Sequence, residues 1–292
     1  MHYFTSYELN TNSSSYIYYD IMITVSIVTY NTDVEELKKC FGSLTSKMVK
    51  NIYIVDNSSQ KYIEDFCKEY QNVIYIASEN VGYGAAHNKA IRLVQNDKDV
   101  KYHLVLNSDV YFEPDVLDRI AKYMDNDEEI AQVQPYLTYP NGELQCTARL
   151  IPTPADLIFR RFLPDCIGAS MDKRYTLSFW DHKTPANIAY HQGSFQFFRV
   201  KCFEKVGLYD ERFFMYPEDI DITRRMHKYY KTMYWPEVKV VHAHRAESYK
   251  SKKMLKIHMT NMIKYFNKWG WLFDSERSKW NKQLLKELGY KK

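Results

Sequence analysis

The 292-residue sequence has no CxxC pair, no excess of charge large enough to name a partner, and no apolar run near the ~20 residues a bilayer-spanning helix needs. Each absence removes a class of protein. Five cysteines (Cys40, Cys67, Cys146, Cys166 and Cys202) stand scattered without a paired framework, which favours reduced thiols in the cytoplasm over a disulfide scaffold. A buried structural thiol is a commoner role for such a residue than a catalytic one. The net charge of +4 is too small to point to nucleic acid. Residues 1–21 lack the basic start and apolar centre of a signal peptide and read as a polar tail. The expectation is a soluble or membrane-peripheral protein.

What is present reads as an ordinary globular chain, 45% hydrophobic and 26% charged, long enough for one large α/β domain or two small ones. The 26 tyrosines have two explanations, amphipathic surface for sugars or a membrane interface, and A/T-rich coding. β-Branched runs at 23–30, 51–55, 73–76 and 103–106 predict strands, and the helical spacing of 34–44 and 84–95 predicts helices between them. Strands alternating with helices imply a mostly parallel, Rossmann-like sheet covered on both faces. Ligands in such sheets sit beyond the carboxyl ends of the strands. Polar residues gather at four successive ends: Thr29-Tyr30-Asn31, Asp56-Asn57-Ser58-Ser59, Asn80 to Gly84, and Asn107-Ser108-Asp109. Together they describe a cleft. Residues 136–190 are less regular and read as a covering lobe, and 250–273 as a basic, Trp-bearing amphipathic helix.

Several segments carry chemistry. Asp109, at a strand end beside Asn107, can hold a divalent cation against a diphosphate, or else belong to a turn before Pro114. Gly82-Tyr83-Gly84 lacks the third glycine of a dinucleotide fingerprint and follows the third strand, so its small residues serve close approach of a ligand or another element. His242 and His244 share a strand face and are candidate metal ligands or backbone-bonded residues. The apolar run 213–217 ends at Glu218-Asp219, and a carboxylate pair so placed must be solvated, paired or employed. A positioned Asp there can take a proton from an alcohol; its bland alternative is a helix cap. The lysines and tryptophans after Lys250 fit either a solvated helix face or adsorption to an anionic membrane.

In order, VSIVTYN (25–31), IVDNSS (54–59), NVGYGAAHN (80–88), LNSD (106–109) and GLYDERFFMYPEDIDITRR (207–225) resemble family 2 glycosyltransferases, in particular the bacterial rhamnosyltransferase-like branch that builds O-antigen and capsule chains. The resemblance spans roughly 22–250, and 139–161 shares it. It implies a GT-A fold and inverting transfer of a sugar from a nucleotide-diphosphate donor with Mg²⁺ or Mn²⁺. The nucleotide-sugar half would be 22–135, the acceptor and catalytic half 136–250, and 251–292 a basic helical extension. Thr29, Tyr30 and Asn31 would line the nucleotide pocket, and Asp56 would accept from the base. Asn80, Gly82 and Asn88 would border the donor. Asn107, Ser108 and Asp109 stand where the family has its DXD motif, with Asp109 and His242 on the metal. Asn107 replaces the first acid, leaving one carboxylate fewer. Asp219 would be the general base, with Glu218 as the alternative or as an orienting group. dTDP-rhamnose is the first expectation for donor and a UDP-sugar the second; the acceptor would be a glycan or lipid-linked glycan. The rivals are a nucleotidyltransferase, whose Gly-rich phosphate loop Thr29-Tyr30-Asn31-Thr32 does not resemble, and a non-catalytic nucleotide-sugar or carbohydrate-binding homologue.

Overall fold

The computed structural model describes residues 22–157, 171–243 and 252–291. The polar tail 1–21, Arg160, Arg161, Cys166, His244 and Lys250 lie outside the described residues, as do the side chains of Lys252 and Lys253. The first part of the chain alternates as expected: β1 (Met22–Thr29), α1 (Val34–Phe41), β2 (Val49–Asp56), α2 (Lys61–Cys67), β3 (Val73–Ala77), α3 (Tyr83–Val94) and β4 (Val100–Leu106). Asp33 caps α1, accepting from the Glu35 amide at 3.0 Å. β3, β2, β1 and β4 pair in parallel, in that order.

Beyond β4 the sheet becomes mixed. Here follow β5 (Val110–Phe112), α4 (Val116–Asp125), β6 (Ile130–Thr138), α5 (Pro154–Leu157), β7 (Ala186–Asn187), β8 (Phe195–Arg199), α6 (Cys202–Val206), α7 (Glu218–His227) and β9 (Lys231–His242). β8 lies antiparallel between β4 and β6, and β9 runs parallel to β6 and antiparallel to β5 and β7. This route carries β5 and β9 to one edge, side by side, with Val110 opposite His242.

Alternation along the strands makes two cores. Ile23, Val25, Ile27, Ile52, Ile54, Leu104, Phe195 and Phe197 pack with α1, α2 and α4. On the opposite face, Val55 packs against α3, and Val105 and Phe198 against α3, α6 and α7. That face also buries a polar chain, in which Thr24 and Ser26 each lie 2.8 Å from a His103 ring nitrogen and Ser26 lies 2.7 Å from His87 Nδ1. Burial lowers His87 well below its ordinary range and His103 to about 3, so both are neutral.

A third cluster joins the lobe after β6 to the last two helices, α8 (Lys252–Trp269) and α9 (Ser275–Glu287). Leu150, Tyr175, Leu177 and Ile188 meet Phe213 and Ile220, and Met262, Tyr265, Phe266 and Leu284 close over them. A buried latch fastens these helices to α7. The Arg224 guanidinium pairs with Asp274 at 2.6 and 2.7 Å and sits 4.0 Å from the Trp269 ring centroid. Asp274 also caps α9 through the Arg277 amide at 3.0 Å. Fully buried Asp221 accepts from Arg225 and from the Trp269 indole, both at 2.8 Å. Removing one partner of such a pair leaves a buried charge uncompensated, at a cost of about 3–5 kcal/mol. Among the described residues, no helix is long and apolar enough to cross a membrane.

Candidate active site

The carboxyl ends of β1, β2 and β3 are tied together by one side chain. Asp56, with no solvent exposure, accepts from Thr29 Oγ1 (3.0 Å), the Ser58 amide (3.1 Å) and Ser58 Oγ (2.7 Å) on one oxygen. Its other oxygen accepts from the Gln60 amide (2.6 Å) and Tyr75 hydroxyl (3.1 Å). The structure therefore turns Asp56 and Thr29 into the protein. Tyr30 and Asn31 remain exposed at the lip; Asn31 adopts a left-handed φ of 51° and is tied to Ser58 and Gln60. Asn80, also exposed, faces buried Asn57.

The glycines around Tyr83 admit another element of the chain. At Gly82 (φ 94°) a Cβ would come 2.3 Å from the Phe214 carbonyl oxygen, and at Gly84 it would come 2.9 Å from Tyr209 Cβ. The segment 207–217 is pressed onto the start of α3. Asn88 fastens it from behind: its amide nitrogen donates to the Tyr209 carbonyl and to Glu211, both at 2.9 Å, while its oxygen accepts from the Tyr209 amide at 3.0 Å. Asn88 is fully buried and clamps the fold, away from the lip.

Asn107, Ser108 and Asp109 follow β4, and the β5–β9 edge brings His242 to them: His242 Nε2 lies 3.3 Å from Asp109 Oδ1. Gln145 fixes that imidazole. Its Nε2 donates to the His242 carbonyl at 2.7 Å, so its Oε1, 2.9 Å from Nδ1, must be the acceptor. Nδ1 then carries the proton and Nε2 faces the carboxylate, the tautomer that suits a metal ligand. Among the described residues no group of three or more His, Cys, Asp or Glu gathers as a metal cluster. One carboxylate and one imidazole fit a cation whose other ligands come from a diphosphate and water. Ser108 points to Glu36 on α1, and a small pocket lined by Glu36, Lys39, Cys40, Ser108 and Asp109 opens beside it.

Glu218 and Asp219 open α7, where the amide dipoles favour acids. The preceding Tyr216 holds a φ of 93°, a costly conformation for a residue with a side chain, and Asn261 of α8 braces the turn through the Met215 carbonyl at 3.0 Å. Both acids are buried, and they differ in their partners. Asp219 accepts from the Gly193 amide at 3.0 Å and the Ile220 amide at 2.7 Å. One Glu218 oxygen has no partner among the described residues. Burial pushes Asp219 up to about 7, opposed by those two amides and by the nearby Arg149 charge. Burial, and next the Asp219 charge, hold Glu218 well above the carboxylate range. Both carboxyls are held above their ordinary range, and Asp219, with two amide donors on its oxygens, is the member better placed to carry the charge.

Tyr83 connects the two sets of acids. Its hydroxyl lies 2.8 Å from Asn107 Oδ1 and 2.8 Å from the Gly193 carbonyl, whose own amide serves Asp219. Burial first, then the charges of Glu218, Asp219 and Asp109, raise its phenol well above the ordinary range. Tyr83 thus joins the strand-end segment that carries Asp109 to the glycine whose amide serves Asp219. Sequence reasoning did not assign roles to Tyr83, Gly193, Gln145 or Arg149. Tyr83, between two glycines, carried a visible signal; Gln145 and Gly193 become site residues only through pairings across the fold.

A family model described as Glycosyl transferase family 2 matches residues 24–207. An uncharacterized glycosyltransferase of Methanocaldococcus jannaschii is 32% identical over 117 residues, 37% of this chain and 39% of that protein. The N-acetylglucosaminyl-diphospho-decaprenol L-rhamnosyltransferase of Mycobacterium tuberculosis is 26% identical over 220 residues, 70% of each chain. Among solved structures, GalNAc-T7 with UDP, GalNAc and Mn²⁺ superposes with a TM-score of 0.56 at 17% identity, covering 76% of this chain and 43% of that one. The fold is that of the GT-A glycosyltransferases. With the family match extending over more than half its length, the chain belongs to glycosyl transferase family 2.

Proposed function

We propose that the protein is an inverting glycosyltransferase that moves a sugar from a nucleoside-diphosphate donor to a hydroxyl of a cell-surface glycan precursor, with Asp219 as base. The observation that carries this is Tyr83, whose hydroxyl lies between Asn107, two residues before Asp109, and Gly193, whose amide donates to Asp219. The acceptor oxygen bonds to the anomeric carbon as the carbon–diphosphate bond breaks on the opposite face. The acceptor proton passes to Asp219, and the nucleoside diphosphate leaves with the bonding electrons. Amide donors from Gly193 and Ile220 hold the Asp219 carboxylate in place. Protonated Glu218 keeps a second negative charge from competing with it.

A divalent cation, Mg²⁺ or Mn²⁺, held by Asp109 and His242, would offset charge on the leaving diphosphate when bound. Asn107 and Ser108 stand beside that pair. Tyr30, Asn31, Asn80 and Gly82 form the donor lip, and Thr29, Asp56 and Asn88 shape it from within. Similarity to a rhamnosyltransferase acting on a diphospho-decaprenol acceptor supports dTDP-rhamnose as donor, a UDP-sugar as the next choice, and a lipid-linked acceptor at the inner face of the membrane.

A thermal-shift screen of nucleotide sugars with and without Mn²⁺, followed by nucleotide release, tests this reading. The true donor raises the melting temperature more with Mn²⁺ and is turned over. A donor that binds without release or transfer would make the chain a binding homologue. No response to any nucleoside-diphosphate sugar would overturn the reading.

A further inference from the structure

The turn between α8 and α9 exposes two large apolar side chains that the fold leaves uncovered: Leu272 is 80% exposed and Phe273 is 95% exposed. Trp271 beside them is partly exposed. This tip is built by buried groups rather than left slack. Gly270 turns at φ 98°, and a Cβ there would come 2.5 Å from the Phe273 carbonyl oxygen. Arg277, almost fully buried, donates to the Trp271 carbonyl at 3.0 Å, and Asp274 is locked by Arg224. Trp271 is folded back, its indole donating to Asn267 at 2.8 Å. The backbone is fixed and the side chains of 272 and 273 are held outward.

The tip continues an apolar ridge along α8, where Leu255, Met259 and Ile263 recur every fourth residue and Leu255 and Ile263 are exposed. Exposed lysines accompany it, Lys256 and Lys264 on α8 and Lys279, Lys282 and Lys286 on α9. Residues 252–291 hold ten Lys and Arg against three acids. Apolar anchors carrying a tryptophan and surrounded by lysine suit the boundary between lipid headgroups and acyl chains.

We infer that Trp271-Leu272-Phe273 inserts into an anionic bilayer surface, with the Leu255–Ile263 ridge and the lysines of α8 and α9 lying on the headgroups. A protein partner would also bury apolar residues, but the excess of lysine favours phosphate-rich lipid. The contact does not depend on sugar transfer. The Arg224–Asp274 latch ties it to α7, so a surface-bound enzyme would hold Asp219 in a fixed relation to the membrane.

The full chain would be sedimented with phosphatidylcholine–phosphatidylglycerol vesicles and with pure phosphatidylcholine vesicles at low salt. Binding is expected to the mixed vesicles, to weaken as salt rises, and to fall by about tenfold or more in the Leu272→Ser/Phe273→Ser variant. Nucleotide release measured without vesicles, and the melting temperature, should be unchanged in that variant. Absence of binding at low salt, or equal binding by the double variant, would overturn the inference while leaving the transfer reading intact. So would sedimentation equilibrium showing a self-associated chain that the double variant dissociates and vesicles do not bind.

Discussion

The strand edge around Asp56 and the start of α7 treat their acids in opposite ways. At the strand edge, Asp56 is surrounded by five donors and serves as a fully satisfied anchor for three strand ends. At the start of α7, Glu218 and Asp219 are buried side by side; Asp219 has two amide donors, and one Glu218 oxygen has none among the described residues. A carboxylate whose two oxygens are saturated by donors holds structure. An under-satisfied pair is held near its titration point, where proton transfer is available. The same residue type therefore marks architecture at the strand edge and, on the proposed reading, chemistry at the start of α7.

That contrast can be broken first through the support of α7. Asp274→Ala removes the α9 cap and leaves buried Arg224 only its longer contact with Glu276 at 3.4 Å; chemical denaturation should show a loss of about 3–5 kcal/mol, with transfer falling alongside. On the other half, Asp56→Asn replaces an acceptor with an amide nitrogen facing donors; a loss of about 1–3 kcal/mol is expected in the same measurement. Gln145→Leu frees the His242 ring to adopt either tautomer. Calorimetric titration with Mn²⁺ and donor should show affinity reduced about 10–100-fold, with little change in stability.

Two pH effects sharpen the comparison. Transfer should rise as pH increases through about 7, where Asp219 loses its proton, and a rate–pH profile measures this. Stability should move differently. Burial lowers His87 well below the usual imidazole range, His103 and His191 to about 3, and His182 and His227 to about 4. The unfolded chain therefore takes up protons first, and stability present at neutral pH is lost as pH falls below 6.5. The raised acids at 218 and 219 work in the opposite sense, gaining stability on protonation, and are outnumbered. Melting temperatures across pH 5–7.5 would show the decline. The smallest effect belongs to Glu218→Gln, which copies the protonated side chain and should leave transfer at neutral pH nearly unchanged.

Much of this was legible along the chain. The β-branched runs at β1, β2 and β4 located the parallel part of the sheet, and the polar strand ends marked its carboxyl edge, because strand burial and strand-end composition are local properties. Asp109, His242 and Asp219 stand out in the sequence by type and position, and the structure sets His242 beside Asp109 and buries Asp219. What lay hidden depends on crossings of the chain. Parallel pairing ends at β4 because β8 arrives antiparallel from a distant segment, and Gln145 reaches His242 only through the β6–β9 pairing. Asn88 looked like a cleft residue because its segment borders the carboxyl edge, yet its helix turns it toward Tyr209. The exposure of Leu272 and Phe273 likewise depends on a turn that Gly270 and Arg277 set.

On the proposed reading, Asp109 and Asp219, linked through Asn107, Tyr83 and Gly193, serve one reaction with separate tasks. The direct test compares Asp219→Asn and Asp109→Asn for Mn²⁺-dependent donor binding and for transfer. Asp219→Asn should bind donor as the unmodified chain does and lose transfer by roughly 10²–10⁴, whereas Asp109→Asn should lose Mn²⁺-dependent donor binding as well. Ordinary transfer by Asp219→Asn, or the same binding defect in both variants, would contradict it.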